Sequence, residues 1–516
     1  MGSKERFYVD IMALQPEVTG SCNLVIVNYP NGEKTRFIVD CGLFQESEYS
    51  KYNECFPFNA ENIEFCAITH NHVDHTGRLP LLVKKGFTGE IYTSKATAIL
   101  LPLALADSYK VLKDVAKRNN TKQLYSESDV AETLRHVSAT DFTKSVDINP
   151  NIRLTMFKNG HLIGATLILI QVRYKGYPNI NLLFTGDYNN KNIFFNIPKL
   201  RKAVKRLPLT IIQESTYGTT NSDEVTECFE ENVLKCIRSG GTVVNMAFSL
   251  GRFQEILYKL KTMQDEGKLS TDIPIFADGT LGLRYTALFS KEELEIKPEA
   301  VNFLPQNLCF VNKENRTEIL ESEESKIIVT TSGMGTYGPA PQYIIRYIKD
   351  KKSLIQFTGF TTDGTLGSRL KMAQDGDVVT IGGMVAIKKA RVEYTTEFSA
   401  HAKADEMIEF LQQFEDIKLI LINHGETSVK EEFAKRILQE VNSKNVGILN
   451  REYLYRVGPY GFIKTMSTKF ELIPNPKSDL SYLKGRFLMY LFVNSNCSHI
   501  IYVTIINISP SIYICI

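Results

Sequence analysis

The chain has 516 residues, 43% of them apolar, and a formal net charge of +2. That length exceeds what one hydrophobic core usually serves, so two domains, or one domain interrupted by another, are expected. The near-neutral balance excludes a general basic surface field, so any polyanionic partner has to be held locally. Nine cysteines, odd in number, scattered and never spaced Cys-x-x-Cys, predict reduced thiols. The N-terminus, Met1-Gly2-Ser3-Lys4-Glu5-Arg6, is charged where a secretory leader is apolar, which predicts a cytoplasmic setting.

In residues 6–44 short apolar runs (7–12, 24–28 and 37–40) alternate with turns, Pro30-Asn31-Gly32 among them, and predict a sheet edge. Thr19-Gly20-Ser21-Cys22 and Asp40-Cys41-Gly42-Leu43-Phe44 end these strands in small residues, which suits backbone passing close beneath a crowded site. An apolar run at 63–68 then leads into Thr69-His70-Asn71-His72-Val73-Asp74-His75, three imidazoles and a carboxylate in one turn-sized segment. A helix start with Pro80 in its first turn follows, so the cluster lies on a strand-to-helix loop. Two histidines one residue apart can point to the same side of an extended segment, so His70 and His72 can grip one metal; Asp74 and His75, on the next bend, can face a second.

A helix stopped by Gly86 and a longer one over 97–118 come next, and His136 stands outside any ligand pattern. Strands over 152–157 and 164–172 flank Asn159-Gly160-His161, and a strand over 180–184 delivers Thr185-Gly186-Asp187-Tyr188. His161 and Asp187 thus stand at strand ends that converge with the cluster on one sheet edge. From Pro208 the rhythm becomes regular: strand 209–213, helix 222–238, strand 242–247, helix 251–265, then strands 273–277, 326–330 and 353–357, each followed by a Gly-rich turn and a helical run. That alternation predicts a parallel sheet with helices on both faces. After about residue 383 the earlier style returns, with strands 385–392, 418–422 and 453–457 and helices 403–414 and 428–441. The expected division is therefore 1–207 and 385–470 for a first domain, 208–384 for a domain inserted into it, and 471–516 for an apolar tail. Residues 487–516 carry no charge, but Asn494, Asn496, His499, Asn507 and Pro510 interrupt them; an exposed β-prone tail, an extra strand or a non-homologous extension is expected rather than a membrane span.

Three further motifs fall in this layout: Gln213-Glu214-Ser215-Thr216-Tyr217-Gly218, Phe398-Ser399-Ala400-His401-Ala402-Lys403-Ala404-Asp405 and Ile422-Asn423-His424-Gly425-Glu426. With the His-x-His-x-Asp-His cluster they make the chain, over about residues 6–465, resemble the β-CASP family of the metallo-β-lactamase superfamily. The Ser-Gly-Met turn at 332–334 is most similar to the bacterial endonuclease-like, archaeal and polyadenylation-factor branches. The resemblance implies an α/β fold, a metallo-β-lactamase αββα sandwich with an inserted β-CASP domain. It implies one Zn2+ held by His70, His72 and His161, a second held by Asp74, His75 and His424, and Asp187 bridging them. RNA phosphodiester hydrolysis by hydroxide between two Zn2+ is the implied reaction, with Asp74 in the catalytic set, His401 protonating the leaving oxygen and Glu214 orienting His401. Ser332, Gly333, Met334, Gly335 and Arg252 are the implied phosphate contacts, on glycine turns whose amides can cradle phosphate oxygens.

The expected partner is RNA, single-stranded, with a homodimer left open. A DNA nuclease of the same superfamily is the alternative, but that branch generally lacks histidine where this chain has His424. A small-molecule hydrolase of the lactamase kind has no use for so long an insert, and a non-catalytic scaffold of an RNA-processing complex is expected to lose ligands, none of which is lost here.

Overall fold

A computed structural model of the chain describes residues 7–224, 228–359, 361, 364–443, 445–474, 481–490 and 500–503. Two sheets face each other. The first is ten-stranded and runs, edge to edge, Ile500–Val503, Ser481–Tyr490, Gly461–Pro474, Tyr453–Gly458, Tyr8–Ala13, Asn23–Asn28, Lys34–Val39, Phe65–Ala67, Glu90–Ser94 and Val137–Thr140. The second is seven-stranded: Val446–Ile448, Asp416–Asn423, Pro208–Glu214, Ile180–Phe184, Thr166–Val172, Ile152–Lys158 and Ser145–Asn149.

Strand periodicity decides which side chains go where, because neighbours on a strand face opposite ways. Ile168 and Ile170 point inward and join Val9, Val25 and Phe37 of the other sheet in the core between the sheets. Leu167 and Leu169 point outward, under the helices Ala404–Gln412 and Thr427–Glu440. On the far side Leu24, Ile26 and Ile38 meet Leu82, Leu101 and Leu105 from the helices Leu79–Lys84 and Lys95–Asn119. The result is an αββα sandwich.

Between the strands Pro208–Glu214 and Asp416–Asn423, which are direct neighbours, the chain leaves to build a six-stranded, all-parallel sheet. Its strands lie in the order Leu308–Phe310, Ile275–Asp278, Lys326–Thr330, Thr242–Met246, Leu354–Phe357, Arg391–Tyr394. Both faces are covered, as a parallel sheet requires: Val243 and Ile327 pack with Phe253 and Leu257 on one side, Val244 and Ile328 with Tyr343 and Ile344 on the other. The first of these cores also holds Leu100, Leu162 and Ile163, so the insert is seated on the sandwich close to His161.

Two expected elements differ. The helix expected over 222–238 is a 3-10 turn at Ser222–Glu224 and an α-helix at Phe229–Arg238, whose start is fixed by Glu397 accepting from the Phe229 amide at 2.9 Å. The strand expected over 385–392 is two strands. Met384–Ile387 pairs with Val378–Ile381, while Arg391–Tyr394 becomes the edge of the parallel sheet, past residue 384. The chain bends between them because the amides of Lys389 and Ala390 both donate to the Ile348 carbonyl, at 2.8 and 2.9 Å. The tail contributes Ser481–Tyr490 and Ile500–Val503 to the end of the ten-stranded sheet; His499 and residues 504–516 lie outside the described residues. Among the described residues no helix is long and apolar enough to cross a membrane.

Candidate metal centre

Three parallel neighbours, Ile180–Phe184, Pro208–Glu214 and Asp416–Asn423, end side by side and present Asp187, Glu214 and His424. Opposite them the loop after Phe65–Ala67 brings His70, His72, Asp74 and His75, and His161 enters from the turn before Thr166–Val172. That loop is held down from below. Ser21 N donates to Asp74 O and Cys41 N to His75 O, both at 2.8 Å. Gly42 lies so close that a Cβ there would stand 1.5 Å from Asp74 O, the close passage for which the small residues were expected.

Two groups of ligand atoms result, one of His70, His72, His161 and Asp187, the other of Asp74, His75 and His424. In the first, His72 Nδ1 is 3.1 Å from both His70 Nε2 and His161 Nε2, and Asp187 Oδ2 is 3.6 Å from His70 Nε2. In the second, His75 Nε2 is 3.2 Å from His424 Nε2, and Asp74 Oδ2 is 3.6 and 3.7 Å from the same two nitrogens. Asp187 reaches into this group as well, at 3.4 Å from each of His75 and His424.

These residues fit divalent cations. Ligands about 2.0–2.1 Å from a tetrahedral metal stand about 3.3–3.4 Å from one another, inside the spread observed. The far nitrogens are already used: His161 Nδ1 donates to Ala400 O at 2.9 Å, and His75 Nδ1 to Asp40 Oδ2 at 2.7 Å. At His70, His72 and His161 the nitrogens facing inward bring lone pairs together, which a cation between them relieves. Asp187 Oδ1 is buried and without a hydrogen-bond partner, as a carboxylate waiting for a metal would be.

The electrostatics agree. Burial holds His70 and His161 well below the usual histidine range and His72 at about 4, so they enter as neutral ligands. At His75 and His424 burial acts the same way but is outweighed by Asp187 and its neighbouring carboxylates, which draw positive charge into the centre. Burial opposes ionisation of Asp74 too, yet His75 and His424 hold it at about 2.

Beside both groups stands His401, partly exposed, its ring 4.7 Å from that of His161 and 6.2 Å from that of His424. Its Nδ1 donates to Glu214, 3.0 and 3.2 Å from the two carboxylate oxygens. Glu214 is buried and pinned by the amides of Tyr188 and Thr216, each at 3.1 Å. With the carboxylate held by two amide donors, its bond from Nδ1 fixes the orientation of the imidazole and leaves Nε2 for the cleft.

Family models match in sequence order: a metallo-beta-lactamase superfamily domain at residues 31–203, a Beta-Casp domain at 253–370 and a Zn-dependent metallo-hydrolase RNA specificity domain at 386–448. The chain belongs to the β-CASP family of the metallo-β-lactamase superfamily. Similar proteins include the transcription termination factor FttA of Methanosarcina mazei, 27% identical over 84% of this chain and 69% of that protein. FttA of Methanocaldococcus jannaschii is 29% identical over 82% and 67%, and ribonuclease TTHA0252 of Thermus thermophilus 28% identical over 80% and 91%. The chain spans about two thirds of the length of the FttA relatives. As a β-CASP protein with this ligand set it is a metal-dependent hydrolase.

The β-CASP insert places the glycine turns at the ends of its strands. Within the turn after Lys326–Thr330, Ser332 N donates to Tyr337 O and Gly335 N to Ser332 O, at 3.3 and 3.0 Å, so two of its amides are engaged internally. Gly333 lies against the Phe248 ring, and Met334 O accepts from Gly367 N at 3.0 Å. Arg252 is buried, bonded to Thr358 O and 3.2 Å from Glu255, and so braces its own turn.

Sequence reasoning missed the residues behind the ligands. Asp40, at φ 64, accepts from His75 and from Thr69 N and Oγ1, and Thr69 Oγ1 meets His70 Nδ1 at 3.1 Å. Thr216 Oγ1 meets His424 Nδ1 at 3.1 Å. A buried strand that ends in aspartate, the signal read at Asp187, is present at Asp40 too. His136, given no role, bonds the Gly89 carbonyl at 2.9 Å.

Proposed function

We propose that this β-CASP hydrolase cleaves RNA phosphodiester bonds with two Zn2+, one held by His70, His72 and His161, the other by Asp74, His75 and His424, and Asp187 shared. The observation that carries the reading is the sharing of Asp187 between two ligand groups with the His401–Glu214 pair standing beside both. Bound there, zinc would act as Lewis acid toward the phosphate oxygens and lower the pKa of water enough to supply a nucleophile near neutral pH. Every other task falls to the chain. Asp187 and Asp74 place negative charge that keeps cations in the centre. Burial keeps His70, His72 and His161 neutral. Glu214 accepts from His401 Nδ1 and so turns Nε2 toward the departing oxygen, to which the imidazolium form would deliver its proton. The turn Ser332-Gly333-Met334-Gly335, through the amides not engaged within it, belongs to the same proposal as a contact for the RNA backbone, with buried Arg252 bracing the facing turn.

The RNA specificity domain model and the ribonuclease among the relatives support RNA as substrate, and His424 in the second group speaks against the DNA-processing branch. A reducing, cytoplasmic setting fits the seven described cysteines, all of them unpaired. The test uses one RNA labelled at either end, with 5′-hydroxyl or 5′-monophosphate, beside the same sequence as single-stranded DNA. Internal or end-dependent cleavage of RNA, lost on chelation and restored by zinc, is expected. Equal cleavage of the DNA overturns the substrate, and zinc-loaded protein that cleaves neither is a scaffold.

A further inference from the structure

The last residue of the strand Asp416–Asn423 makes contacts that the proposed chemistry leaves unused. Asn423 accepts from Gln15 Nε2 at 2.9 Å and donates through Nδ2 to Asn23 Oδ1, also at 2.9 Å. Gln15 Oε1 in turn accepts from the Cys22 amide at 3.0 Å. Gln15, Asn23 and Asn423 are 0, 3 and 4% exposed, so the amide chain is fully inside the protein. It crosses the sandwich: Asn23 opens a strand of the ten-stranded sheet, and Asn423 ends a strand of the seven-stranded one.

The place of this bridge is what gives it a role. His424 sits at φ 46, a left-handed conformation that a residue with a Cβ keeps only when its surroundings hold it. On one side it is held by the neighbouring parallel strand: Ser215 Oγ donates to Asn423 O at 2.9 Å and Ser215 N to His424 O at 3.1 Å. Those bonds fix His424 relative to its own sheet. Its fellow ligands Asp74 and His75 belong to the other sheet, through the loop after Phe65–Ala67 and the bond from Ser21 N to Asp74 O. The 3.2 and 3.7 Å spacings within this group therefore span two sheets, and the Gln15–Asn423–Asn23 chain ties those sheets together one residue from His424.

We propose that Asn423, clamped by Gln15 and Asn23, is a positioning residue for His424 that sets its distance from Asp74 and His75; this rests on the two-metal reading above. Removing the Asn423 amide leaves a buried donor on Gln15 and a buried acceptor on Asn23 without partners, and lets the two sheets settle independently at this point. Residues behind metal ligands typically change affinity about 10- to 100-fold when removed. The loss falls on one metal only, because His70, His72 and His161 have other supports, in Thr69 and Ala400.

The experiment is calorimetric zinc binding to the full chain after chelation and dialysis. Wild type is expected to take two equivalents in distinguishable events, with His161→Ala marking which event belongs to the first group. Asn423→Ala is expected to weaken the other event by about 10- to 100-fold and leave the His161-dependent one unchanged. Gln15→Leu should weaken the same event, and the double variant should be no worse than Asn423→Ala alone, because the amides act as one unit. Should Asn423→Ala fail to fold by circular dichroism, Gln15→Leu carries the same comparison from the far end of the chain. Equal weakening of both events marks a general structural role and overturns the proposal, as does no change in either. Wild type that binds fewer than two equivalents overturns the two-metal reading and this inference with it, whereas two equivalents in wild type and an unchanged variant overturn the positioning role alone.

Discussion

Replacing His401 with alanine separates proton transfer from metal binding. His401 completes neither the group of His70, His72, His161 and Asp187 nor that of Asp74, His75 and His424, so His401→Ala is expected to keep both metals. Among the described residues its imidazole hydrogen-bonds through Nδ1 to Glu214 alone, and Glu214 keeps its two amide donors when the ring is gone, so the fold has little to lose. The chemical step should slow by about 10²- to 10⁴-fold, the usual range for losing a general acid. At about 1.36 kcal/mol per tenfold, that is roughly 3–5 kcal/mol of barrier. Glu214→Gln should cost less, since the amide still meets the ring but orients it less firmly. The assay is single-turnover cleavage of an end-labelled RNA, with metal content measured on the same samples. A substrate with sulfur as leaving atom needs little protonation and should rescue His401→Ala far more than Asp187→Asn. Because Asp187, Glu214 and His401 also lie within ligand reach of one another, loss of zinc from His401→Ala would identify His401 as a ligand and refute the general-acid role. Absence of selective sulfur rescue would refute it equally.

Asp187→Asn is expected to lower the affinity of both metals and bring cleavage to background, because Asp187 reaches ligands in both groups; metal analysis after gel filtration should find fewer than two equivalents. Burial pushes the Lys403 ammonium down to about 8, where it lies over the Tyr217 ring with no hydrogen bond among the described residues. Its charged form is therefore disfavoured in the folded state. The full cost applies below pH 8, where folded and unfolded chains both carry the proton, and disappears as pH rises toward the free-lysine value of about 10.4. Denaturant melts at pH 7.5 and 9.5 should show wild type gaining stability relative to Lys403→Met, toward a limit of about 3 kcal/mol; equal responses would refute the assignment. Ending the chain after Pro476 removes Ser481–Tyr490 and Ile500–Val503, the two outermost strands at one end of the ten-stranded sheet and without site residues, and should keep turnover while improving solubility. Loss of folding would show that the sheet needs them.

What the sequence made readable was what it stores locally. His70, His72, Asp74 and His75 occupy six consecutive positions, and no ordinary loop needs three imidazoles there. His161 and Asp187 were readable one step further out, as polar residues closing buried strands. His401, Glu214 and His424 came only through the resemblance, since nothing near a lone histidine says that a glutamate 187 positions earlier will lie 3.0 Å away. Asp40, Thr216 and Asn423 act through contacts set by which strands become neighbours, which no single stretch of sequence carries. The misplaced elements have the same origin. Residues 385–392 look like one strand until the Ile348 carbonyl takes the amides of Lys389 and Ala390 and turns the chain. The helix at 229 begins where Glu397, far along the chain, meets its first amide.

The insertion point explains why so much of the site is non-local. Glu214 ends the strand at which the insert departs, and Asn423 is its register partner on the strand that returns. Pairing those two strands puts His424 beside Glu214 and Thr216, and the segment that leads into the returning strand places Ala400 against His161 and His401 against Glu214. The insert therefore has to let its two ends come back together before either the second ligand group or the proton donor exists. It also stays in touch with the first group: Asn71, between His70 and His72, donates to the Tyr285 hydroxyl of the insert at 3.1 Å, with both residues buried. A cleft that opened by swinging the insert away would have to break that bond at the metal loop itself, so the position of the insert and the geometry of the first ligand group are coupled through a direct contact.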